Sequence, residues 1–329
     1  MPIDKAKKII DNVFCDMEKG DEINIAFQGG EPTLAGLDFY QQFTQYVEEK
    51  KAEKGLIISY AFQTNGLIID DSWCELFKKY NFLLGLSHDS IVHNDNRLDG
   101  VGKGTASRVL KTKDLFDKYK IEYNILSVLT SELARYPEKT WNFIKRNNIR
   151  YIQFTPCLGE LSPTKPEPYR LTPERFASFY SKLIPLWKAD FDSGNYISVK
   201  LIDDLVHMYF MGQVTACGLN GYCSVQCVVE SDGSVYPCDF YALDEYKIGS
   251  LEENTLEQLT ASSSAKEFVK KKNYYPLCTS CPYVKVCGGG CKRMKNEIYI
   301  NQVGDFCGMR TILNNCIELL REVALKVYR

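Results

Sequence analysis

A run of four cysteines beginning at Cys278 restricts the fold of this chain more than any other feature. The segment CTSCPYVKVCGGGCKR has the spacing C-x2-C-x5-C-x3-C and places four thiols within fourteen residues. The glycines at 288–290 allow a tight backbone turn between the last two cysteines. Thiolates this close repel one another unless a cation neutralises their charge, so the spacing predicts a metal site. Taken alone, the segment fits either a structural zinc site or an iron–sulfur cluster.

Further cysteines extend this site. Of the thirteen in the chain, ten lie between Cys217 and Cys316. A predicted β-hairpin with the turn sequence Ser-Asp-Gly at 231–233 is surrounded by three of them, Cys217, Cys223 and Cys238, and Cys307 follows the four-cysteine run. Eight candidate ligands are the number that two fully cysteinyl [4Fe–4S] clusters require. Four others are predicted to be small buried hydrophobic residues: Cys74, Cys157, Cys227 and Cys316.

Composition excludes several classes of partner. The 329 residues are 45% hydrophobic, enough for a large core, and carry a net charge of −2 with both signs interspersed. This balance predicts neither a nucleic-acid partner nor a membrane partner. The first residues, MPIDKAKKIIDNVF, lack the apolar core of a signal peptide, and no apolar run has the length of a membrane span. We therefore expect a cytoplasmic protein, in which thirteen cysteines indicate metal rather than a disulfide framework.

Alternating strand and helix patterns predict an α/β fold. Amphipathic helical patterns cover residues 4–18 and about 37–54. Five apolar segments with strand character alternate with helical segments, and polar or glycine-containing loops follow them: INIAF, LIISYAF, FLLGL, YNILSVL and YIQF. Repeated βα units predict a parallel sheet with its functional loops at the carboxyl ends of the strands. Residues 172–211 are predicted to be helical, and we place a domain boundary near residue 212.

Several motifs together resemble one enzyme family. The order Cys223-x9-Gly233-x4-Cys238, then the four-cysteine run and one later cysteine, is similar to the SPASM domain of peptide-modifying radical S-adenosylmethionine (SAM) enzymes. AFQGGEPTLAG resembles the GGEP signature of radical SAM barrels. With QTNG, VVESDGSVYPCDFY and CGLNG, the chain most resembles anaerobic sulfatase-maturating enzymes. The resemblance implies a partial (βα)6-type radical SAM barrel over residues 1–211, lacking its first strand, and a small SPASM domain with a β-hairpin and helices over residues 212–329.

The resemblance also implies two auxiliary [4Fe–4S] clusters with interleaved ligands. The first is held by Cys217, Cys223, Cys238 and Cys291. The second is held by Cys278, Cys281, Cys287 and Cys307.

Other roles follow from the same resemblance. Glu31 of GGEP holds the SAM amino group, and Gly29 and Gly30 let the backbone approach the ligand. Ser87 and Arg97 correspond to residues that contact the ribose and the carboxylate of SAM, and a guanidinium suits a carboxylate. The family usually has S-[LM]-D-G where this chain has SHDS at 87–90, so a catalytic histidine and a histidine that fills the loop are both open at position 88.

Asp239 is the predicted catalytic residue. It follows Cys238 directly, and the matching aspartate of the family accepts a proton from the substrate cysteine or serine. An aspartate that caps a turn after the strand is the alternative interpretation.

The implied reaction is the oxidation of a sulfatase cysteine or serine to formylglycine, within a C/S-x-P-x-R segment, after reductive cleavage of SAM. The implied partners are SAM, the sulfatase segment and a small electron-transfer donor. Two alternatives remain open. One is a radical SAM maturase of another ribosomal peptide, and the other is a non-catalytic protein with two iron–sulfur clusters.

The family's C-x3-C-x2-C loop, which binds the SAM-cleaving cluster, does not occur in the sequence. Cys15 is the only cysteine ahead of GGEP, and it lies on the predicted first helix. Five predicted strands against the family's six indicate the same gap. We therefore expect an amino-terminal truncation, from a wrong start codon, a fragmentary gene or a degenerate protein. A third [4Fe–4S] cluster is expected only if that segment is present.

Overall fold

The structure is a computed structural model that describes residues 1–161, 165, 167–212, 216–270 and 274–327. The strands of the described residues are β1 (Glu22–Phe27), β2 (Ile57–Thr64), β3 (Leu83–Ser87), β4 (Tyr123–Leu129), β5 (Tyr151–Pro156), β6 (Ser198–Val199), β7 (Val228–Val229), β8 (Ser234–Tyr236) and β9 (Gly249–Ser250). The α-helices are α1 (Ile3–Cys15), α2 (Leu37–Lys54), α3 (Asp71–Lys79), α4 (His93–Asn96), α5 (Ala106–Tyr119), α6 (Pro137–Arg146), α7 (Pro173–Asp192), α8 (Lys200–Met211), α9 (Leu256–Thr260), α10 (Ser263–Val269), α11 (Val284–Cys287) and α12 (Gly308–Val327).

The predicted α/β class is confirmed. In the described residues, β1 to β6 form one six-stranded sheet in sequence order, with parallel pairing in β1–β2, β4–β5 and β5–β6. The five predicted strands are all present. The predicted hairpin is formed by β7 and β8, which pair antiparallel, and Gly233 in its turn has φ +87°. The left-handed region that this turn requires is why glycine occupies the position.

One prediction was wrong. The stretch 172–211, predicted to be helical, is interrupted by β6, which pairs with Tyr151 and Ile152 at the edge of the sheet. Helix α7 ends before Gly194, whose φ is +83°, and the next residues, YISV, include β-branched side chains. Because the sheet has six strands in the described residues, the strand count carries no argument about where the chain begins.

The chain divides into two compact units. The first comprises Met1–Gly85, Lys111–Tyr123 and Cys223–Lys271, and the second comprises Leu86–Leu110, Asn124–Tyr222 and Lys272–Arg329. Each unit contains residues from both sides of position 212, so the boundary at 212 stays a prediction about the sequence domains. Within the described residues, no helix combines the length and apolar character needed to span a bilayer.

The parallel register of β1 and β2 brings two loops of the first unit together. Phe27 pairs with Phe62, and the ring centroids of these two residues lie 5.0 Å and 5.1 Å from that of Tyr40. Phe62 and Tyr40 are buried, and Phe27 is half-buried. The two strands therefore end side by side. The loop that carries GGEP lies next to the loop that carries QTNG.

Candidate functional site

Glu31 of GGEP is held at the end of β1 by the neighbouring loop. Its Oε1 accepts hydrogen bonds from the backbone N–H of Thr33 (3.1 Å), the Thr33 hydroxyl (2.6 Å) and the Thr64 hydroxyl (2.8 Å). Its Oε2 accepts the backbone N–H of Asn65 at 2.7 Å. Four donors therefore fix a half-buried carboxylate, and such bonds to an ionised acceptor are stronger than neutral ones.

The glycines before Glu31 leave room beside it. A Cβ built on Gly29 or Gly30 meets no atom of the described residues within 4 Å, and Gly29 has φ +120°. Open space here fits the approach of a ligand to the backbone. On the other side of Glu31, the Tyr40 hydroxyl donates to the Pro32 carbonyl at 2.7 Å, and this bond fixes the exit of the loop.

We expect Glu31→Gln to destabilise the first unit. The Gln amide nitrogen faces a hydrogen-bond donor at one of the two oxygen positions, because all four partners of Glu31 donate. An unsatisfied buried donor costs about 1–3 kcal/mol. Because Glu31 is half-buried, the free energy of unfolding in urea should fall by about 1 kcal/mol, the lower end of that range. Glu49→Gln, on exposed α2 surface with one side-chain partner, is the matched control and should leave stability within about 0.5 kcal/mol. If Glu31→Gln and Glu49→Gln change the free energy of unfolding equally, the four hydrogen bonds assigned to Glu31 do not stabilise the first unit.

Arg97 is engaged by a neighbouring carboxylate. Its Nε donates to Asp89 Oδ2 at 2.8 Å and its Nη2 donates to Asp89 Oδ1 at 3.3 Å. Asp89 is 2% exposed and also accepts the backbone N–H of Val128 at 2.9 Å. Two of the five guanidinium donors are used in this pair. Asp89 therefore sets the direction of Arg97, while Ser87, at the end of β3, is buried. Their contacts with SAM stay a prediction.

His88 fills the loop. It is 0% exposed, and its ring stacks on His93 with a centroid distance of 4.2 Å and on Phe143 at 5.2 Å. Its Nδ1 accepts the backbone N–H of Ser90 at 3.0 Å. Ser90 has φ +50°, the left-handed region where the family has glycine. His88 and Ser90, the two residues that depart from the family motif, are thus joined by one hydrogen bond. This favours the interpretation that His88 fills the loop rather than acts in catalysis.

The second histidine of this loop completes a chain of hydrogen bonds. His93 Nδ1 accepts the backbone N–H of Asp89 at 3.1 Å, and its Nε2 lies 2.9 Å from the Thr105 hydroxyl. That hydroxyl donates to the Arg97 carbonyl at 3.1 Å. With Nδ1 accepting, Nε2 carries the proton. The chain ties the backbone of Arg97 to the loop that carries Asp89.

These histidines predict a pH dependence of stability. Burial, with the charge of His93, lowers the pKa of His88 to about 3, and burial lowers the pKa of His93 to about 4. The unfolded chain, with pKa near 6.5, binds more protons below that pH, so stability is full above about pH 6.5 and falls as pH decreases toward these values. The wild-type protein should lose free energy of unfolding between pH 7 and pH 5, and His88→Leu should make that loss smaller by about 1–2 kcal/mol. The slope is the readout, since Ser90 N–H also loses its acceptor, and an unchanged slope contradicts the prediction.

Four predicted cluster ligands line one pocket in the second unit. We call it the four-cysteine pocket, and its cysteines are Cys278, Cys281, Cys287 and Cys307. Cys278 closes a 3₁₀ turn, Cys287 ends α11, and a bridge between Ile300 and Cys307 returns the later cysteine to the others. The three glycines of the run have φ values of +54°, +85° and +72°, the tight turn that the sequence predicts.

The thiols of the four-cysteine pocket are difficult to ionise without a cation. Burial and the neighbouring thiols Cys307, Cys278 and Cys281 raise the pKa of Cys287 to about 11, although a backbone N–H partly opposes them. Burial also raises the pKa of Cys307 and that of Cys278. Bound metal is the condition under which such thiols ionise together at neutral pH. In the described residues, no three or more potential ligands lie close enough together to hold a single metal ion. Four thiols nevertheless line this one pocket.

The other predicted ligand set is divided between the two units. In the second unit, the backbone N–H of Cys291 donates to the carbonyl of Gly218, next to Cys217, at 2.8 Å. In the first unit, Cys223 precedes the hairpin and Cys238 follows it. Their common cluster stays a prediction. Of the remaining cysteines, Cys74 and Cys316 are buried as predicted, but Cys157 and Cys227 are only half-buried because they lie in loops rather than helices.

Asp239 lies beside a predicted ligand. It begins a 3₁₀ turn directly after Cys238, and its Oδ1 is 3.4 Å from the Sγ of that cysteine. The same oxygen accepts the backbone N–H of Phe240 at 3.0 Å. The side chain is exposed, so it is accessible to a peptide. The bond to Phe240 also fits the turn-capping interpretation, and the catalytic role stays a prediction.

Some site residues are missed by sequence reasoning. Thr33 and Thr64, which hold Glu31, belong to the motifs GGEPTLAG and QTNG but have no individual signal in their spacing. Asp89 stands in SHDS, where the pairing with Arg97 depends on the fold of the loop. In each case the partner is brought close by the folded conformation of the loops, which the spacing of residues does not reveal.

Comparisons with known proteins agree with the predicted SPASM domain and the predicted enzyme family. Residues 212–282 match the SPASM family, described as an iron–sulfur cluster-binding domain. A cysteine-type anaerobic sulfatase-maturating enzyme of Clostridium novyi is 38% identical over 313 residues, which cover 93% of this chain and 83% of that protein. A serine-type enzyme of Klebsiella pneumoniae is 32% identical over 289 residues, covering 87% of this chain and 72% of that protein.

A solved structure has the same fold. Native anSMEcpe with bound AdoMet and Cp18Cys peptide superposes with a TM-score of 0.91 at 34% identity. The alignment covers 99% of this chain and 92% of that one. Similarity therefore extends through both the strand-and-helix part and the cysteine-rich part.

Proposed function

The chain belongs to the anaerobic sulfatase-maturating enzymes, and we propose that it oxidises a cysteine or serine of a sulfatase to formylglycine as a radical SAM oxidoreductase. The observation that carries the proposal is the four-cysteine pocket, which gathers four ligands predicted from the family pattern. The relatives are named as cysteine-type and serine-type enzymes, and one solved relative holds AdoMet with a peptide.

Residues at the ends of β1 and β3 are proposed to hold SAM. Glu31, fixed by Thr33 and Thr64, offers a carboxylate to the SAM amino group, and Gly29 and Gly30 leave space for the ligand. Arg97, oriented by Asp89, is proposed for the SAM carboxylate and Ser87 for its ribose. The carboxylate and the guanidinium match the opposite charges of an amino-acid group.

The cysteines are proposed to hold two auxiliary [4Fe–4S] clusters. The four-cysteine pocket provides one set, and Cys217, Cys223, Cys238 and Cys291 provide the other. When bound, SAM with its reducing cluster would supply the radical that takes a hydrogen from the substrate, and the auxiliary clusters would take up the second electron or shape the peptide site. The chain's own part is to bind these groups, to exclude water from them and to bring the peptide to Asp239.

Asp239 is proposed as the base. Its exposed carboxylate oxygen accepts the proton from the Sγ or Oγ of the substrate residue while the β-carbon is oxidised. The position beside Cys238 places this oxygen next to a predicted cluster ligand. The group that accepts the proton and the cluster that accepts the electron would therefore both lie close to the substrate residue.

The experiment begins with the in-frame DNA upstream of the Met1 codon. A reading frame that supplies C-x3-C-x2-C gives a chain for anaerobic assay with a peptide containing C/S-x-P-x-R, a reductant and SAM. Mass spectrometry should show conversion of the cysteine or serine to formylglycine. A stop codon with no such motif, or no conversion by the reconstituted chain, contradicts the proposal and favours the non-catalytic cluster protein. A neighbouring gene for a small precursor peptide, with conversion of that peptide alone, favours the other maturase.

A further inference from the structure

Tyr299 forms part of the wall of the four-cysteine pocket. It is 2% exposed and ends the π-helical turn Lys295–Tyr299, between the four-cysteine run and α12. The ring fits against the backbone because Gly290 has no side chain, and a Cβ on Gly290 would overlap the ring. The Tyr299 ring is therefore held in place by the backbone of the four-cysteine run at Gly290.

The other end of Tyr299 reaches the second set of predicted ligands. Its hydroxyl donates to the Gly218 carbonyl at 2.7 Å, and the same carbonyl accepts the backbone N–H of Cys291 at 2.8 Å. Gly218 follows Cys217 and has φ +90°, and a Cβ there would lie 3.0 Å from the Cβ of Cys291. The turn that carries Cys217 is thus packed against Cys291, and both lone pairs of one carbonyl hold it there.

We propose that Tyr299 is a positioning residue that joins the two cluster sites. Its ring bounds the four-cysteine pocket, and its hydroxyl holds the Cys217 turn against Cys291. This inference rests on the two-cluster part of the proposed function. Removing the hydroxyl should loosen the ligand set of Cys217 and Cys291, whereas the wall of the pocket stays in place.

The test is the release of iron from the reconstituted full chain to a chelator. Two clusters release about four irons each. Replacing Cys217 and Cys291 together by alanine identifies the phase that belongs to their set, because the two remaining thiols are too few to hold a cluster and that phase is lost. In Tyr299→Phe we expect this phase to accelerate about two- to tenfold, the effect of one buried hydrogen bond. The phase from the four-cysteine pocket should keep its wild-type rate.

Tyr40→Phe is the matched control. Tyr40 is 3% exposed and donates to the Pro32 carbonyl at 2.7 Å, the same bond in length and kind, from a helix without cysteine. It should change neither phase.

Two results overturn the inference on Tyr299 alone. Both phases unchanged in Tyr299→Phe means that the hydroxyl does not position the ligands, and both accelerated equally means that it only supports the fold. A wild-type chain that binds no iron overturns the two-cluster proposal itself, and the inference with it.

Discussion

Replacing Cys278 and Cys287 together by alanine should lower the iron bound after anaerobic reconstitution from about eight to about four per chain. Both thiols line the four-cysteine pocket, and burial raises the pKa of each. Removal of two ligands leaves two thiols, too few to hold a [4Fe–4S] cluster there. The remaining iron should belong to the other set. Iron and sulfide analysis measures the iron bound per chain, and Mössbauer spectroscopy shows whether the remaining iron is in a [4Fe–4S] cluster.

A second pair of cysteines provides the control. Cys74 and Cys316 are 0% and 2% exposed, and they lie in α3 and α12. Replacing both by alanine removes two thiols from the chain but no predicted ligand, so about eight irons should remain. Zinc in place of iron in the wild-type protein would support the structural zinc interpretation of the four-cysteine run. Equal iron loss in both double variants would show that the pocket is not specific.

The four-cysteine pocket also shows how far sequence reasoning reaches. Three of its cysteines belong to the four-cysteine run, and the spacing of that run alone predicts a metal site. Cys307 is distant, and the spacing does not assign it to either cluster. The family pattern assigns it, and the bridge between Ile300 and Cys307 brings it back to the pocket.

Local signals predict long elements better than short ones. Helix α2 matches its predicted bounds because apolar positions recur over 18 residues and Gly55, with φ +71°, ends it. Strand β6 has two residues, and its existence depends on pairing with β5. A pattern of two residues has no periodicity to detect. The hydrogen bond from Ser90 to His88 is similarly hidden, because it depends on a backbone angle.

Asp239→Asn should lower the rate of formylglycine formation at least about 100-fold, the lower range for loss of a general base, while 5′-deoxyadenosine is still formed from SAM. Asparagine keeps an oxygen for the Phe240 N–H, so the turn after β8 retains its hydrogen bond. The amide cannot accept the proton of the substrate thiol or hydroxyl. Both products are measured by mass spectrometry in one anaerobic reaction, with the chain that carries the C-x3-C-x2-C loop.

The ratio of the two products separates the interpretations of Asp239. Asp244→Asn, an exposed aspartate of the next 3₁₀ turn, should leave both products at wild-type levels. If Asp239 only caps its turn, Asn substitutes well and formylglycine formation continues. If it holds the cluster beside Cys238, both the iron content and the amount of product fall together. A proton acceptor predicts a third pattern, in which iron content and SAM cleavage persist while the peptide is not oxidised, because only the step at the substrate Sγ or Oγ is lost.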